Sequence, residues 1–138
     1  MDDYIKNRLK IEINKAYYVA KRYKAVSTFA ILYHPAPLPV DILGKFVRIS
    51  DHLLKIDDNH YFIAFAFTEP ENAFKASQNL IFKLDKHYNN NESCIALDTF
   101  DTTKSPTIVL NRLTQILNEV KRDDYSRIDD ENILNGIV

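Results

Sequence analysis

The stretch HLLKIDDNHYFIAFAFTEP, residues 52–70, decides the fold. Two apolar runs, 52–56 and 61–67, have the composition of β-strands, and residues 57–60 between them tolerate a tight turn. The stretch therefore predicts a β-hairpin. Residues 68–71, Thr-Glu-Pro-Glu, match a capping box, which predicts that a helix begins directly after the second strand.

Three further elements are predicted before the hairpin. Apolar residues recur at spacings of three and four across residues 3–23, which predicts a long amphipathic helix. The nearly continuous apolar run 25–34 is typical of a central strand that is covered on both faces. Residues 39–50 begin with a proline in a favourable first-turn position and predict a helix of about three turns.

A helix, a strand and a second helix are predicted after the hairpin. The first helix ends in the turn-rich segment 88–93, and residues 93–100 predict a strand. Ser105, as the cap, and Pro106, at the first helical position, predict the start of the last helix. Residues 123–138 are acidic and weakly periodic, so we expect a tail that either frays or docks on a partner.

The predicted element order, α-β-α-β-β-α-β-α, belongs to the α+β class. Its natural packing is a ferredoxin-like core, in which amphipathic helices cover one face of an antiparallel sheet of about four strands. We place this domain in residues 1–122 and the acidic C-terminal tail in residues 123–138.

Composition excludes several classes of function. With 18 basic against 19 acidic residues, the chain has no global field to hold a nucleic acid or an anionic membrane. No apolar run approaches the roughly 18 residues that a membrane span needs. The single cysteine excludes an internal disulfide framework and fits a reducing cytoplasm. Only two glycines are present, which excludes most catalytic motifs built on glycine.

A short motif precedes the hairpin turn. Arg48-Ile49-Ser50-Asp51 has the pattern R-x-x-D, and the five residues 52–56 separate it from the turn. This spacing resembles the GGDEF (diguanylate cyclase) domain, in which an R-x-x-D motif lies five residues before the signature turn. The place of the signature is taken here by Asp57, Asp58, Asn59, His60 and Tyr61. The resemblance covers roughly residues 5–122 and implies a bacterial protein and the GGDEF-like fold.

The same resemblance implies that catalysis has been lost. The family's Mg²⁺-dependent chemistry needs carboxylates at the end of the first strand and in the signature turn, whereas the first strand here ends in Tyr33-His34-Pro35. Asp57 and Asp58 replace the glycines that let the backbone approach a triphosphate, and they add negative charge there. We therefore expect no enzyme activity, no catalytic residue, no metal site and no cofactor. The chain is expected to be a degenerate signalling or regulatory module.

Two interpretations of Arg48 and Asp51 remain open. The resemblance implies a regulatory site for cyclic di-GMP, in which Arg48 donates to phosphate or to a guanine edge and Asp51 accepts from guanine N–H groups. Alternatively, Arg48 caps helix carbonyls and Asp51 accepts hydrogen bonds at the start of a strand. A further alternative is a protein-interaction or dimerisation module, since the first helix carries the tyrosines Tyr17, Tyr18 and Tyr23.

Two other site classes are tested and disfavoured. Residues 61–76 also resemble the third strand and following helix of the RNA-recognition motif, but Asp57 and Asp58 would repel a phosphate backbone at that edge, so we expect no nucleic-acid partner. The four histidines show no paired spacing on one predicted element, which disfavours a metal site. Cys94 is expected to be a buried hydrophobe.

Overall fold

The structure, a computed structural model, describes residues 2–98, 102–123 and 126–136. The first half contains α1 (Asp3–Tyr23), β1 (Thr28–Tyr33), α2 (Val40–Gly44), β2 (His52–Lys55) and β3 (His60–Phe65). The second half contains α3 (Pro70–Tyr88), β4 (Cys94–Asp98), α4 (Pro106–Arg122), β5 (Ile128–Asp129) and a short 3₁₀-helix (Glu131–Gly136). The α+β class and the predicted order of the first eight elements are confirmed.

The strands form one five-stranded sheet in the order β2-β3-β1-β4-β5. The predicted hairpin is present as β2 and β3, and β1 runs antiparallel to both β3 and β4, with Tyr33 opposite His60. β5 pairs in parallel with β4, so the sheet is mixed and not purely antiparallel. Among the described residues the sheet thus has five strands where about four were expected, because β5 adds one at the edge.

Helices cover both faces of this sheet, which corrects the expectation that they cover one. On one face α1 and α4 bury apolar side chains such as Leu9, Ile13 and Leu113 against the sheet. On the other face α3 buries Leu80 and Leu84. The physical reason lies in β1, whose residues 28–32 are all buried: side chains alternate between faces, so a continuous apolar strand needs cover on both.

The C-terminal segment differs from the expected tail. Within residues 123–138, the segment 126–136 packs on the domain, with Ile128 buried and β5 added to the sheet. The Arg127 guanidinium donates two hydrogen bonds to Asp85, at 2.7 and 2.8 Å, and one to the Ser93 carbonyl at 2.9 Å. These partners are 34 and 42 residues away in the chain, so local periodicity carries no sign of them.

The predicted helix ends are partly confirmed. Ser105 caps α4 by accepting from the Ile108 N–H at 3.3 Å, as expected. α2 has only five residues, shorter than the predicted three turns, because the chain turns at residues 45–50. The predicted capping box is wrong: no side chain caps α3, and the Thr68 hydroxyl donates to the Ala66 carbonyl at 2.7 Å. Within the described residues, no helix combines the length and apolarity needed to cross a membrane.

Candidate functional site

The R-x-x-D motif forms a closed cluster, which we call the Arg48–Asp51 clasp and define as Arg48, Asp51, Ala66 and Thr68. Arg48 lies in the turns after α2, and Asp51 directly precedes β2. The guanidinium donates to both carboxylate oxygens of Asp51, from Nη2 at 2.9 Å and from Nε at 3.3 Å. This forked pairing is the strong geometry for an arginine and a carboxylate.

Both side-chain oxygens of Asp51 accept hydrogen bonds within the clasp. Its side chain is 1% exposed, and it also accepts from the backbone N–H of Arg48 at 3.1 Å and of Ala66 at 3.3 Å. The expected acceptor role of Asp51 at the start of a strand is therefore confirmed. Its carboxylate oxygens are enclosed by these partners, so they are not accessible to a ligand in solvent.

Arg48 has a second set of partners across the hairpin. Its Nη2 donates to the Ala66 carbonyl at 3.1 Å and contacts the Thr68 hydroxyl. That carbonyl follows a strand, which corrects the expected capping of helix carbonyls. The side chain is nevertheless 53% exposed, so about half of its surface faces solvent. The clasp thus ties the start of β2 to the end of β3 and leaves part of the arginine side chain accessible.

The signature turn lies at the opposite end of β2 and β3. One Asp57 oxygen accepts from the Asn59 N–H at 2.9 Å and pairs with His60 Nδ1 at 2.8 Å. Burial raises the pKa of Asp57, but hydrogen bonds from Asn59 and His60 outweigh it, so the pKa lies below its usual range. Asp58 pairs with Lys55 at 3.1 Å. The turn is held by its own side chains and stays acidic.

His60 connects the turn to α4. Its Nε2 lies 3.2 Å from Lys121 Nζ, and that ammonium lies 4.1 Å from the centroid of the Tyr33 ring. Because a lysine ammonium can only donate, His60 Nε2 is the acceptor, and the ring proton sits on Nδ1 facing Asp57. The carboxylate, imidazole and ammonium therefore form one chain, with a cation–π contact at its end.

Tyr61, the second residue of β3, points to the face of the sheet that α3 covers. Its hydroxyl accepts from the Leu38 N–H at 2.8 Å and donates to the Leu38 carbonyl at 3.1 Å, and the residue is fully buried. Neighbouring strand residues face opposite sides of a sheet, which separates Tyr61 from His60. Tyr61 therefore has a packing role, and its hydroxyl also lies 3.4 Å from the Asp58 carbonyl of the turn.

The end of β1 lies beside the turn and carries no carboxylate. His34 is buried there, with Nδ1 2.6 Å from the Ser93 hydroxyl, and Asn59 donates to the His34 carbonyl at 3.0 Å. Burial lowers the pKa of His34, which keeps the ring neutral. Among the residues that the structure describes, no group of three His, Cys, Asp or Glu side chains is placed to hold a metal ion. Cys94 is buried, and burial raises the pKa of its thiol.

Sequence reasoning missed two partners of these sites. Thr68 was expected to cap a helix, but its hydroxyl joins the clasp, 20 residues from Arg48. Lys121 lies 61 residues from His60, and its only local signal is its place in the basic last turn of α4. Both contacts depend on the register of distant elements.

No model of a protein family matches the sequence, and no curated protein matches it. Solved structures do share its fold. The GGDEF domain of DgcB from Caulobacter crescentus, in complex with c-di-GMP, is 11% identical over 88% of this chain and 86% of that one, with a TM-score of 0.70. The active GGEEF domain of a diguanylate cyclase from Vibrio cholerae is 18% identical over 91% and 95%, with a TM-score of 0.69.

A third similar structure is the diguanylate cyclase SiaD from Pseudomonas aeruginosa, in complex with its activator SiaC. It is 8% identical over 91% of this chain, with a TM-score of 0.72, and the match spans 57% of SiaD. At identities from 8 to 18% these similarities concern the architecture alone. The chain therefore has the fold of the GGDEF diguanylate cyclase domains.

Proposed function

We propose that this chain is a non-catalytic signalling or regulatory module with a GGDEF-like fold. The observation that carries the proposal is the state of the signature turn. The resemblance to the GGDEF signature sets Asp57 and Asp58 against its two glycines, and the Asn59 N–H, which could otherwise bind a phosphate, already donates to Asp57. A triphosphate would meet negative charge where it needs a neutral, donor-rich backbone.

The end of β1 supports the same proposal. Metal-dependent phosphoryl transfer requires hard oxygen ligands beside the reacting phosphate. The residue placed there is His34, which is buried, kept neutral and bonded to Ser93. A buried imidazole that already has a partner is a poor ligand for Mg²⁺.

An assay of GTP turnover with Mg²⁺ or Mn²⁺ tests this absence of catalysis. The active domain from Vibrio cholerae serves as the positive control under the same conditions. We expect no cyclic di-GMP from this chain, and measurable synthesis would overturn the proposal.

Cyclic di-GMP is the first ligand to test, because a similar domain from Caulobacter crescentus was solved in complex with it. The open side of Arg48 would donate to a phosphate or a guanine edge, while Asp51 would hold the guanidinium in position. This assigns ligand contact to Arg48 alone and a positioning role to Asp51, since the carboxylate is buried and its oxygens are occupied.

Titration calorimetry with cyclic di-GMP separates the possibilities. We expect heat from the wild type, none from Arg48→Ala, and an unchanged isotherm from Lys45→Ala, which removes an exposed charge nearby. Absence of heat from the wild type at ligand concentrations of about tens of micromolar ends the ligand proposal. The proposed loss of catalysis would stand after that result.

A protein-interaction or dimerisation module is the second candidate. α1 exposes Tyr4, Ile11 and Tyr18 at intervals of seven residues, which align on one side of a helix. SiaD, whose matching part spans 57% of its length, was solved in complex with an activator protein, SiaC. Light scattering tests whether the chain forms a homodimer. We expect a dimer that Tyr18→Glu dissociates. A wild type that is monomeric at all concentrations would exclude the homodimer.

A further inference from the structure

A cavity of about 420 Å³ opens on the α1 and α4 face of the sheet, beside the signature turn. Four apolar residues line it, and we call them its floor: Ile31, Ile56, Leu110 and Leu117. Pockets for small ligands have volumes in this range. The cavity is thus large enough for one flat organic molecule.

The rim of the cavity carries unbalanced positive charge. Lys6 and Lys10 reach it from α1, and Lys121 reaches it from α4. Within the described parts of the chain, none of these three lysines has a carboxylate at ion-pair distance. The lining includes a single acidic residue, Asp57, whose carboxylate already pairs with His60. Cations that converge on a partly enclosed space attract an anion.

One of these cations is held in place before any ligand binds. Lys121 Nζ lies 3.2 Å from His60 Nε2 and 4.1 Å from the Tyr33 ring centroid. Ordering a long side chain beforehand reduces the entropy that binding costs. The side-chain amides of Asn111 and Asn118 also line the cavity and supply neutral donors and acceptors.

We propose that this cavity binds a small organic anion: a ring-bearing apolar body rests on the isoleucine and leucine floor, and an acidic group lies among the three lysines. The acidic group is a carboxylate, phosphate or sulfonate of low charge, since Asp57 at the wall disfavours a polyphosphate. The site is separate from the Arg48–Asp51 clasp, which lies at the other end of β2 and β3.

The fluorescent probe 8-anilinonaphthalene-1-sulfonate tests the proposal, because it combines an aromatic body with one anionic group. Its uncharged analogue N-phenyl-1-naphthylamine tests the need for the anion. We expect saturable binding of one equivalent of the sulfonate, and binding of the neutral analogue at least about tenfold weaker, as one lost charge-assisted hydrogen bond predicts.

Charge-matched variants locate the site. The triple variant Lys6→Gln, Lys10→Gln, Lys121→Gln should weaken binding of the sulfonate by about tenfold or more. The control triple Lys75→Gln, Lys83→Gln, Lys86→Gln removes the same charge from exposed positions on α3, on the other face of the sheet, and should leave binding unchanged. Equal loss in both triples would overturn the proposal, as would equal affinity for the two probes.

A second variant distinguishes loss of the binding site from loss of folding. Thr114→Trp fills the cavity from an exposed position on α4 and keeps every lysine. We expect it to abolish binding while its melting temperature and near-ultraviolet circular dichroism match those of the wild type. Unchanged binding by a folded Thr114→Trp protein would show that the probe sits elsewhere and would overturn the site.

Discussion

The two ends of the β2–β3 hairpin differ in how far they bury an aspartate. At one end the clasp encloses Asp51, 1% exposed, with an arginine fork and two backbone donors. At the other end the signature turn leaves Asp57 57% exposed and pairs it with a histidine. The Arg48–Asp51 pair is thus built into the structure, whereas Asp57 of the turn lies at the surface. The hydrogen bonds within the R-x-x-D motif give it a structural role that needs no ligand.

Removing Asp51 should have the largest effect of any change at these two ends. Asp51→Ala leaves two backbone N–H groups and one side of the Arg48 fork without acceptors, which costs about 3 kcal/mol of unfolding free energy. Urea denaturation measures this loss. Surface ion pairs contribute less than about 1 kcal/mol. A loss of unfolding free energy that small in Asp51→Ala would show that the two ends of the hairpin do not differ.

Acidification should destabilise the turn end through His34. Because its pKa in the folded protein lies below the ordinary 6.5, only the unfolded chain takes up the proton as the pH first falls below that value. Stability is therefore complete above about pH 6.5 and declines as the pH falls towards the folded pKa. Thermal melting from pH 7.5 to 5 measures the decline, and His34→Gln should remove it. An identical pH profile in the variant would contradict the assignment.

Replacing Arg48 with lysine should have an intermediate effect. Arg48→Lys keeps the charge but loses the planar fork that reaches Asp51 and Ala66 together, so we expect a loss of about 1 kcal/mol. The exposed Lys45→Arg serves as the reverse control and should change stability little. Stability equal to the wild type would mean that charge alone holds the clasp.

Removing Asp57 should have the smallest effect on stability. The residue is mostly exposed, so Asp57→Ala should cost less than about 1 kcal/mol by urea denaturation. Since its pKa is lowered on folding, this contribution is present above the ordinary pKa of 3.8 and disappears as the pH falls through the folded value. A loss as large as that of Asp51→Ala would show that both ends are structural.

Local patterns predicted much of the fold. The hairpin, the long amphipathic helices and the Ser105 cap follow from periodicity and from short side-chain preferences within a few residues. The apolar pattern of β1 predicted cover on both faces of that strand, although the packing predicted from the element order placed helices on one face only. The candidate site was partly predictable: Arg48, Asp51 and the turn were identified, but Thr68 and Lys121 were not.

The sequence by itself determined the order of elements and the chemistry of the signature turn, because both depend on neighbouring residues. Only the tertiary structure decided which charges are buried and which converge. Asp51 accepts from Ala66 because β2 and β3 pair in one register, and Arg127, directly before β5, pairs with Asp85, 42 residues away. The lysines of α1 and α4 line one cavity because two helices distant in sequence pack side by side on the same face. Such contacts depend on the packing of whole elements, which a local pattern of residues does not contain.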